Sequence, residues 1–164
     1  MKELVGNTPA IKQAIKDEEG KIFIKEFPPA TITPNQLKGF IKKFQEQGIK
    51  LDAIVLDYLN LMNSTMGNNS YERIKHVTEQ VRAMSYLFNC PIISATQLNR
   101  AGFDTDNPDL ATISESIGLA ATADVICSIF QNEEDRELGI IRLGMMKNRY
   151  GPRGTTQAMR INYS

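Results

Sequence analysis

Asp57, Gln97, Lys147 and Arg149 are the side chains whose types and settings could do chemistry on a phosphate. Asp57 closes Ala53-Ile54-Val55-Leu56, an apolar run that reads as a buried parallel strand. Its carboxylate then stands at the C-terminal edge, where open α/β sheets bind ligands. In a nucleotide-hydrolysing protein such an acid holds the water shell of Mg²⁺ beside the phosphates. Gln97 closes the next apolar run, Pro91-Ile92-Ile93-Ser94-Ala95-Thr96, and would reach the same edge. A neutral amide there can orient water or touch a terminal phosphate and report the contact to the loop that follows. Lys147 and Arg149 alternate in Lys147-Asn148-Arg149-Tyr150-Gly151-Pro152-Arg153-Gly154, so they share one face of a strand end. Two cations projecting together suit a polyphosphate, and a guanidinium can bind it bidentately. Each of these features is common on protein surfaces by itself; their order and spacing together make the case. The other half of a phosphate site, a glycine-rich loop followed by Lys and Ser or Thr, does not occur in the 164 residues, and Gly6-Asn7-Thr8 is no substitute.

The elements that must position these groups can be read from hydrophobic spacing. Residues 9–19 have weak helical spacing, and an N-terminal helix is expected within residues 1–20. Lys21 to Phe27 alternates and reads as a short edge strand, broken by Pro28-Pro29. Thr33-Pro34 starts a helix as N-cap and first helical residue, with Leu37, Phe40, Ile41 and Phe44 on one face and Gly48 as its stop. Residues 52–57 form the strand ending in Asp57. After a polar loop over 63–70, Ser70 caps a second helix with the stripe Ile74, Val77, Val81, Met84, Leu87 and Phe88. Residues 91–96 are a second buried strand, 98–113 a long polar loop, 114–123 a short helix and 124–130 a third core strand. Residues 139–146 and 155–161 alternate around Gly151-Pro152-Arg153-Gly154 and predict a terminal hairpin. Strands alternating with helices give an α/β fold, parallel in its first part.

Composition narrows the classes. The chain suits one domain with a real core, at 41% hydrophobic and 23% charged residues. Lys plus Arg and Asp plus Glu are both 19, which argues against a diffuse basic coat for nucleic acid but leaves local basic loops open. Cys90 and Cys127 stand apart, without a CxxC pair or a histidine cluster, as reduced apolar thiols do. No run is apolar for the roughly 18 residues a membrane span needs, and Met1-Lys2-Glu3-Leu4 lacks a signal peptide's apolar core. The expected location is therefore cytoplasmic. Asn63, Asn68 and Asn162 match a glycosylation triplet by chance in such a chain. His76 reads as a solvated helix residue, Phe40 and Phe44 as core, and Met62, Met84, Met145 and Met146 as packing residues.

Taken together, Ile54-Val55-Leu56-Asp57-Tyr58-Leu59-Asn60-Leu61, Ser94-Ala95-Thr96-Gln97-Leu98-Asn99-Arg100, Ser114-Glu115-Ser116, Ala123-Asp124-Val125 and Lys147-Asn148-Arg149-Tyr150-Gly151-Pro152 resemble the C-terminal motor domain of DnaB-type replicative helicases. Within that family the flavour is that of the replicative helicases of T-even-type bacteriophages, which would place the chain in a host cytoplasm. The resemblance spans roughly residues 50–160 and covers the later portion of the motor.

The resemblance implies a truncated RecA-like P-loop NTPase core over residues 1–164, a mainly parallel sheet flanked by helices with a C-terminal β-hairpin. It implies ATP and Mg²⁺ as cofactors. Asp57 would be the acid serving Mg²⁺, Gln97 the phosphate sensor, and Lys147 and Arg149 would reach the ATP of the neighbouring subunit in a hexameric ring, Arg149 as the arginine finger. Loops 63–70 and 98–117 would grip single-stranded DNA, with Arg100, Ser114, Glu115 and Ile117 where phosphate contacts fall. Ser114 and Ile117 depart from the family, which often has a basic residue and a glycine there. Arg153 is unusual in the Gly-Pro-x-Gly turn and reads as an exposed turn residue. Primase and a helicase loader are the implied protein partners, and movement on DNA would run 5′ to 3′. The phosphate loop and the glutamate that activates water would lie upstream, so the chain would be a truncated form or one product of a split gene, and would not hydrolyse ATP alone. The strand leading to that loop would sit between those matching 91–96 and 124–130. Without it, unpaired backbone is expected inside the sheet, met by rearrangement, strand exchange or a dimer. Two other readings stay open: a RecA/KaiC-like recombinase-type ATPase, against which Arg149 and Gly151-Pro152 count, and a non-catalytic interaction fragment.

Overall fold

The computed structural model of the protein describes residues 20–64, 66–67, 69–97 and 117–161. The helix expected within residues 1–20 lies outside that range, apart from Gly20.

Helix α1 (Pro34–Glu46) starts as its sequence dictates. Thr33 Oγ1 accepts the Gln36 N–H at 3.3 Å, the Gln36 side chain accepts the Thr33 N–H at 2.9 Å, and Pro34 opens the first turn. The chain leaves through Gly48 at φ +74°. Leu37, Ile41 and Phe44 are buried. Residues 21–27 do not form the expected edge strand. Phe23 and Phe27 set their rings edge-on against Phe44 and Phe40 of α1 at 5.0 and 5.6 Å, although Phe23 stays as exposed as Ile24. The alternation is real, but the aromatic face wins because it has a helix to pack on.

Strand β1 (Ile54–Leu56) is shorter than expected and leads through a 3-10 turn (Leu59–Leu61) into the polar loop. Helix α2 (Ser70–Phe88) is capped by Asn69, whose Oδ1 accepts the Glu72 N–H at 2.8 Å, so Ser70 is its first residue rather than its cap. Asn89 ends it in the left-handed conformation at φ 49°. Ile74, Val77, Val81, Met84 and Phe88 are buried as expected, while Leu87 is 51% exposed. These buried residues join Leu37, Ile41, Ile54, Leu59, Cys90 and Leu119 in the core.

Strand β2 (Ile92–Ser94) pairs parallel with β1, Ile54 opposite Ile92 and Leu56 opposite Ser94. Both strands are expected to be buried, yet among the described residues helices cover one face only. Val55 is 71% exposed and Ile93 55%. Helix α3 (Ile117–Thr122) packs on α2, and strand β3 (Val125–Phe130) follows, with Val125 and Ile129 exposed as well.

Helix α4 (Glu133–Glu137) is not among the expected elements. Asn132 caps it, and buried Asp135 accepts Arg142 Nε at 2.6 Å and Nη2 at 2.7 Å. Strands β4 (Ile140–Asn148) and β5 (Thr156–Arg160) form the expected hairpin, and β3 pairs antiparallel with β4. Gly144 pairs with Ser128 of β3, and a Cβ there would stand 2.6 Å from Ser128 Oγ, so a larger residue must displace that hydroxyl.

The sheet is thus in two pieces among the described residues: parallel β1–β2, and antiparallel β3–β4–β5. Parallel pairing is confined to the first part, so the sheet is less parallel than the resemblance implied. Strands β2 and β3, which the resemblance sets on either side of an absent strand, do not pair.

Candidate nucleotide site

Asp57 follows β1 directly and Gln97 stands three residues beyond β2, both at the carboxyl end of the parallel pair and both exposed. No hydrogen bond or ion pair engages either side chain among the described residues. The backbone around them is held tightly. Ser94 Oγ donates to Leu56 O at 2.8 Å and accepts the Leu59 N–H at 3.2 Å, bracketing the segment that carries Asp57. The Thr96 hydroxyl lies 3.5 Å from Asn60 Oδ1, joining the turn after Asp57 to the chain leading to Gln97. Sequence reasoning passes over Ser94, Thr96 and Asn60. A hydroxyl closing an apolar strand is the available signal. The Asp57–Tyr58 peptide is cis.

The cations sit in another setting. Lys147 is opposite Ile126 on β4, and its ammonium donates to Ala120 O at 2.7 Å and Ala121 O at 3.1 Å, closing the C-terminal end of α3. Arg149 Nη1 pairs with Asp124 Oδ1 at 2.8 Å, and its backbone N–H donates to Asp124 O at 2.9 Å. Arg82 of α2 reaches the same Asp124 oxygen at 2.9 Å and also donates to Thr122 O. The two cations thus have different partners, the carbonyls ending α3 for Lys147 and the Asp124 carboxylate for Arg149. Lys147 is held below the usual lysine range, first by burial and then by the Arg149 and Arg82 charges, with Asp124 opposing. Arg82 and Asp124 are not among the expected site residues. Only the tertiary fold brings α2 beside the start of β3.

Of the expected DNA contacts, Arg100, Ser114 and Glu115 lie outside the described residues, and Ile117 is the first residue of α3. Arg153 is exposed in the hairpin turn, as expected. His76 is not simply solvated. It is half-buried, with Nδ1 3.2 Å from Ser64 Oγ and Nε2 3.4 Å from Gln80, tying the 63–70 loop to α2 beside a cavity of about 190 Å³. Cys90 is buried, which pushes its thiol pKa up, and Cys127 is exposed.

The residues present can be tested against Mg²⁺ and a nucleotide. Among the described residues no cluster of three or more His, Cys, Asp or Glu side chains could cage a metal. An exposed single carboxylate fits Mg²⁺ held mainly by phosphates and water. The nucleotide's own cradle is absent from the sequence.

A parallel strand pair and an antiparallel three-stranded unit, with helices packed on them, have the fold of RecA-like ATPase domains. Two solved structures share this fold. An ATPase domain of known structure superposes with a TM-score of 0.67 at 20% identity, covering 77% of this chain and 47% of that one. A DnaB-like replicative helicase, described with its interactions with primase, superposes with a TM-score of 0.74 at 20% identity, covering 94% of this chain and 38% of that one. The family model of the DnaB-like helicase C-terminal domain matches residues 5–163, and the chain belongs to that family. The DnaB-like replicative helicase of Enterobacteria phage T4 is 25% identical over 141 residues, 83% of this chain and 30% of the relative. A probable plasmid replicative DNA helicase of Chlamydia trachomatis is 33% identical over 104 residues, 62% of this chain and 22% of the relative. The chain thus spans about a third or less of the curated relatives it matches. Among the described residues no helix is long and apolar enough to cross a membrane.

Proposed function

We propose that this chain is the C-terminal part of an ATP-dependent hexameric replicative helicase that moves 5′ to 3′ on single-stranded DNA and opens duplex at a replication fork. The observation that carries this reading is the division of the candidate site. Asp57 and Gln97 stand free at one parallel edge, while Lys147 and Arg149 project from the separate antiparallel unit.

When bound, Mg²⁺ would supply charge neutralisation at the phosphates, and Asp57 is the residue that would hold it through water. Gln97 would contact the terminal phosphate and pass the change into the chain after residue 97. Lys147 and Arg149 would serve the nucleotide of an adjoining subunit, Arg149 offering its guanidinium where charge builds up between attacking and leaving oxygens. DNA would pass along loops 63–70 and 98–117 through backbone contacts, with Arg100, Ser114, Glu115 and Ile117 as the positions to examine. Primase and a loader are the proposed protein partners, and a self-assembled ring the proposed working state.

The chain alone is proposed to be idle, because most phosphate contacts in such a site come from the amides and Lys of a phosphate loop it does not contain. The test is to assay ATPase and fork unwinding with this chain, with a polypeptide supplying the phosphate loop and its strand, and with both. Activity of the mixture alone, stimulated by single-stranded DNA and lost in Asp57→Asn, is expected. An Asp57-dependent ATPase rate from the chain alone would refute the idle state, and a silent mixture that nevertheless forms a complex would identify a non-catalytic binder.

A further inference from the structure

The antiparallel unit contains a charge arrangement that phosphate chemistry alone does not require. Arg82 and Lys147 reach carbonyls at the end of α3 and Arg149 pairs with Asp124 just beyond it, Asp124 being the carboxylate they share among the described residues. The acid's Oδ1 takes both guanidiniums at 2.9 and 2.8 Å. The two arginines are not held alike. Arg82 also donates to Thr122 O and lies against Tyr86, its guanidinium carbon 5.9 Å from the ring centre. Arg149's side chain has Asp124 as its only partner among the described residues, and 44% of that side chain is exposed. Arg82 is therefore fastened at several points and Arg149 at one. Removing Arg149 from Asp124 leaves the carboxylate still paired with Arg82, so no buried charge is orphaned. A pair this exposed is weak enough to exchange partners.

We propose that Asp124 is a positioning residue that holds Arg149 in cis and releases it to a polyphosphate anion, with Arg82 retaining the carboxylate after the transfer. The inference rests on the reading of Arg149 as a phosphate ligand and adds its resting partner. Arg149's main chain stays tied to Asp124 O through its own N–H, so the side chain swings about a fixed base. Asp124 then sets a threshold: phosphate must compete with a carboxylate already in place, and a bidentate phosphate contact outcompetes one ion pair.

The test needs neither ring nor hydrolysis. The chain is titrated calorimetrically with inorganic tripolyphosphate at low salt as wild type, Asp124→Asn, Arg149→Gln and the double variant. Asp124→Asn should bind about threefold to tenfold more tightly, as expected for removing one competing charge a few ångström away in a wet setting. The gain should vanish in the Arg149→Gln background, and Asp124→Glu should return the wild-type value. Equal or weaker binding by Asp124→Asn, a gain that persists without Arg149, or no binding by any variant overturns the proposal. Should Asp124→Asn not fold, the Asp124 carboxylate carbon of the wild type is followed by NMR during the same titration. It should shift as Arg149 leaves, and an unmoved resonance is equally fatal. A flat cycle leaves the helicase reading intact, whereas failure of ATPase complementation leaves this exchange intact.

Discussion

The parallel pair β1–β2 and the antiparallel unit β3–β4–β5 hold their candidate residues in opposite ways. Asp57 and Gln97 are exposed side chains without partners among the described residues, on backbone fixed by Ser94 and Thr96. Lys147 and Arg149 are engaged side chains, closing α3 and pairing with Asp124. Groups proposed to meet their own subunit's nucleotide are exposed and unengaged among the described residues. Groups that would meet a neighbour's are held until something better arrives. In the sheet, β2 and β3 stay unpaired with each other and Val55, Ile93, Val125 and Ile129 are exposed.

The largest expected effect separates the two faces of the parallel pair. Met84→Ala, at 2% exposure beneath β1 and β2, should cost about 2–5 kcal/mol in urea unfolding, whereas Ile93→Ala on the open face should stay near the surface range of about 0.5 kcal/mol. Equal losses would show that the open face is covered in solution. In the antiparallel unit, Gly144→Ala should cost about 1–3 kcal/mol, because the new methyl meets Ser128 Oγ at 2.6 Å. An unchanged midpoint would show that β3 and β4 are not packed this closely.

Acid should weaken the antiparallel unit through Asp135. The Arg142 guanidinium, and then the Asn132 hydrogen bond, hold this carboxyl below its usual range against the opposing effect of burial. A depressed folded-state pKa gives stability that is complete above the ordinary carboxylate value of about 3.9 and is lost as pH falls through the lower folded value. Asp135→Asn should remove that part of the acid sensitivity in melts between about pH 5 and 2, and identical pH slopes would contradict the pairing. Lys147→Ala should cost about 1 kcal/mol by freeing two carbonyls of α3, read as faster amide exchange along that helix. Asp57→Asn should be smallest, within about 0.5 kcal/mol, since no interaction is lost.

Much of this was legible in the sequence, for physical reasons that differ by element. The α1 cap was readable because Thr33-Pro34 is local chemistry, and the hairpin because alternation flanks a Gly-Pro turn. Alternation at 21–27 misled because an aliphatic face, Ile22 and Ile24, and an aromatic one, Phe23 and Phe27, compete there and a strand's own residues do not say which meets a helix. Apolar strands suggested cover on both faces, whereas burial depends on neighbours that a strand's own residues do not specify. The candidate site divided likewise. Asp57, Gln97, Lys147 and Arg149 were visible by residue type and spacing, while Asp124 and Arg82, 42 positions apart, meet only through tertiary packing.

The central claim is that each nucleotide is served by Asp57 of one chain and Arg149 of the next. It is tested by mixing Asp57→Asn chains with Arg149→Ala chains in the presence of the phosphate-loop polypeptide and measuring DNA-stimulated ATPase. Each variant alone should be inactive, and the mixture should recover activity because some interfaces pair an intact Asp57 with an intact Arg149. A mixture no more active than its parts, beside an active wild-type control, would contradict the account.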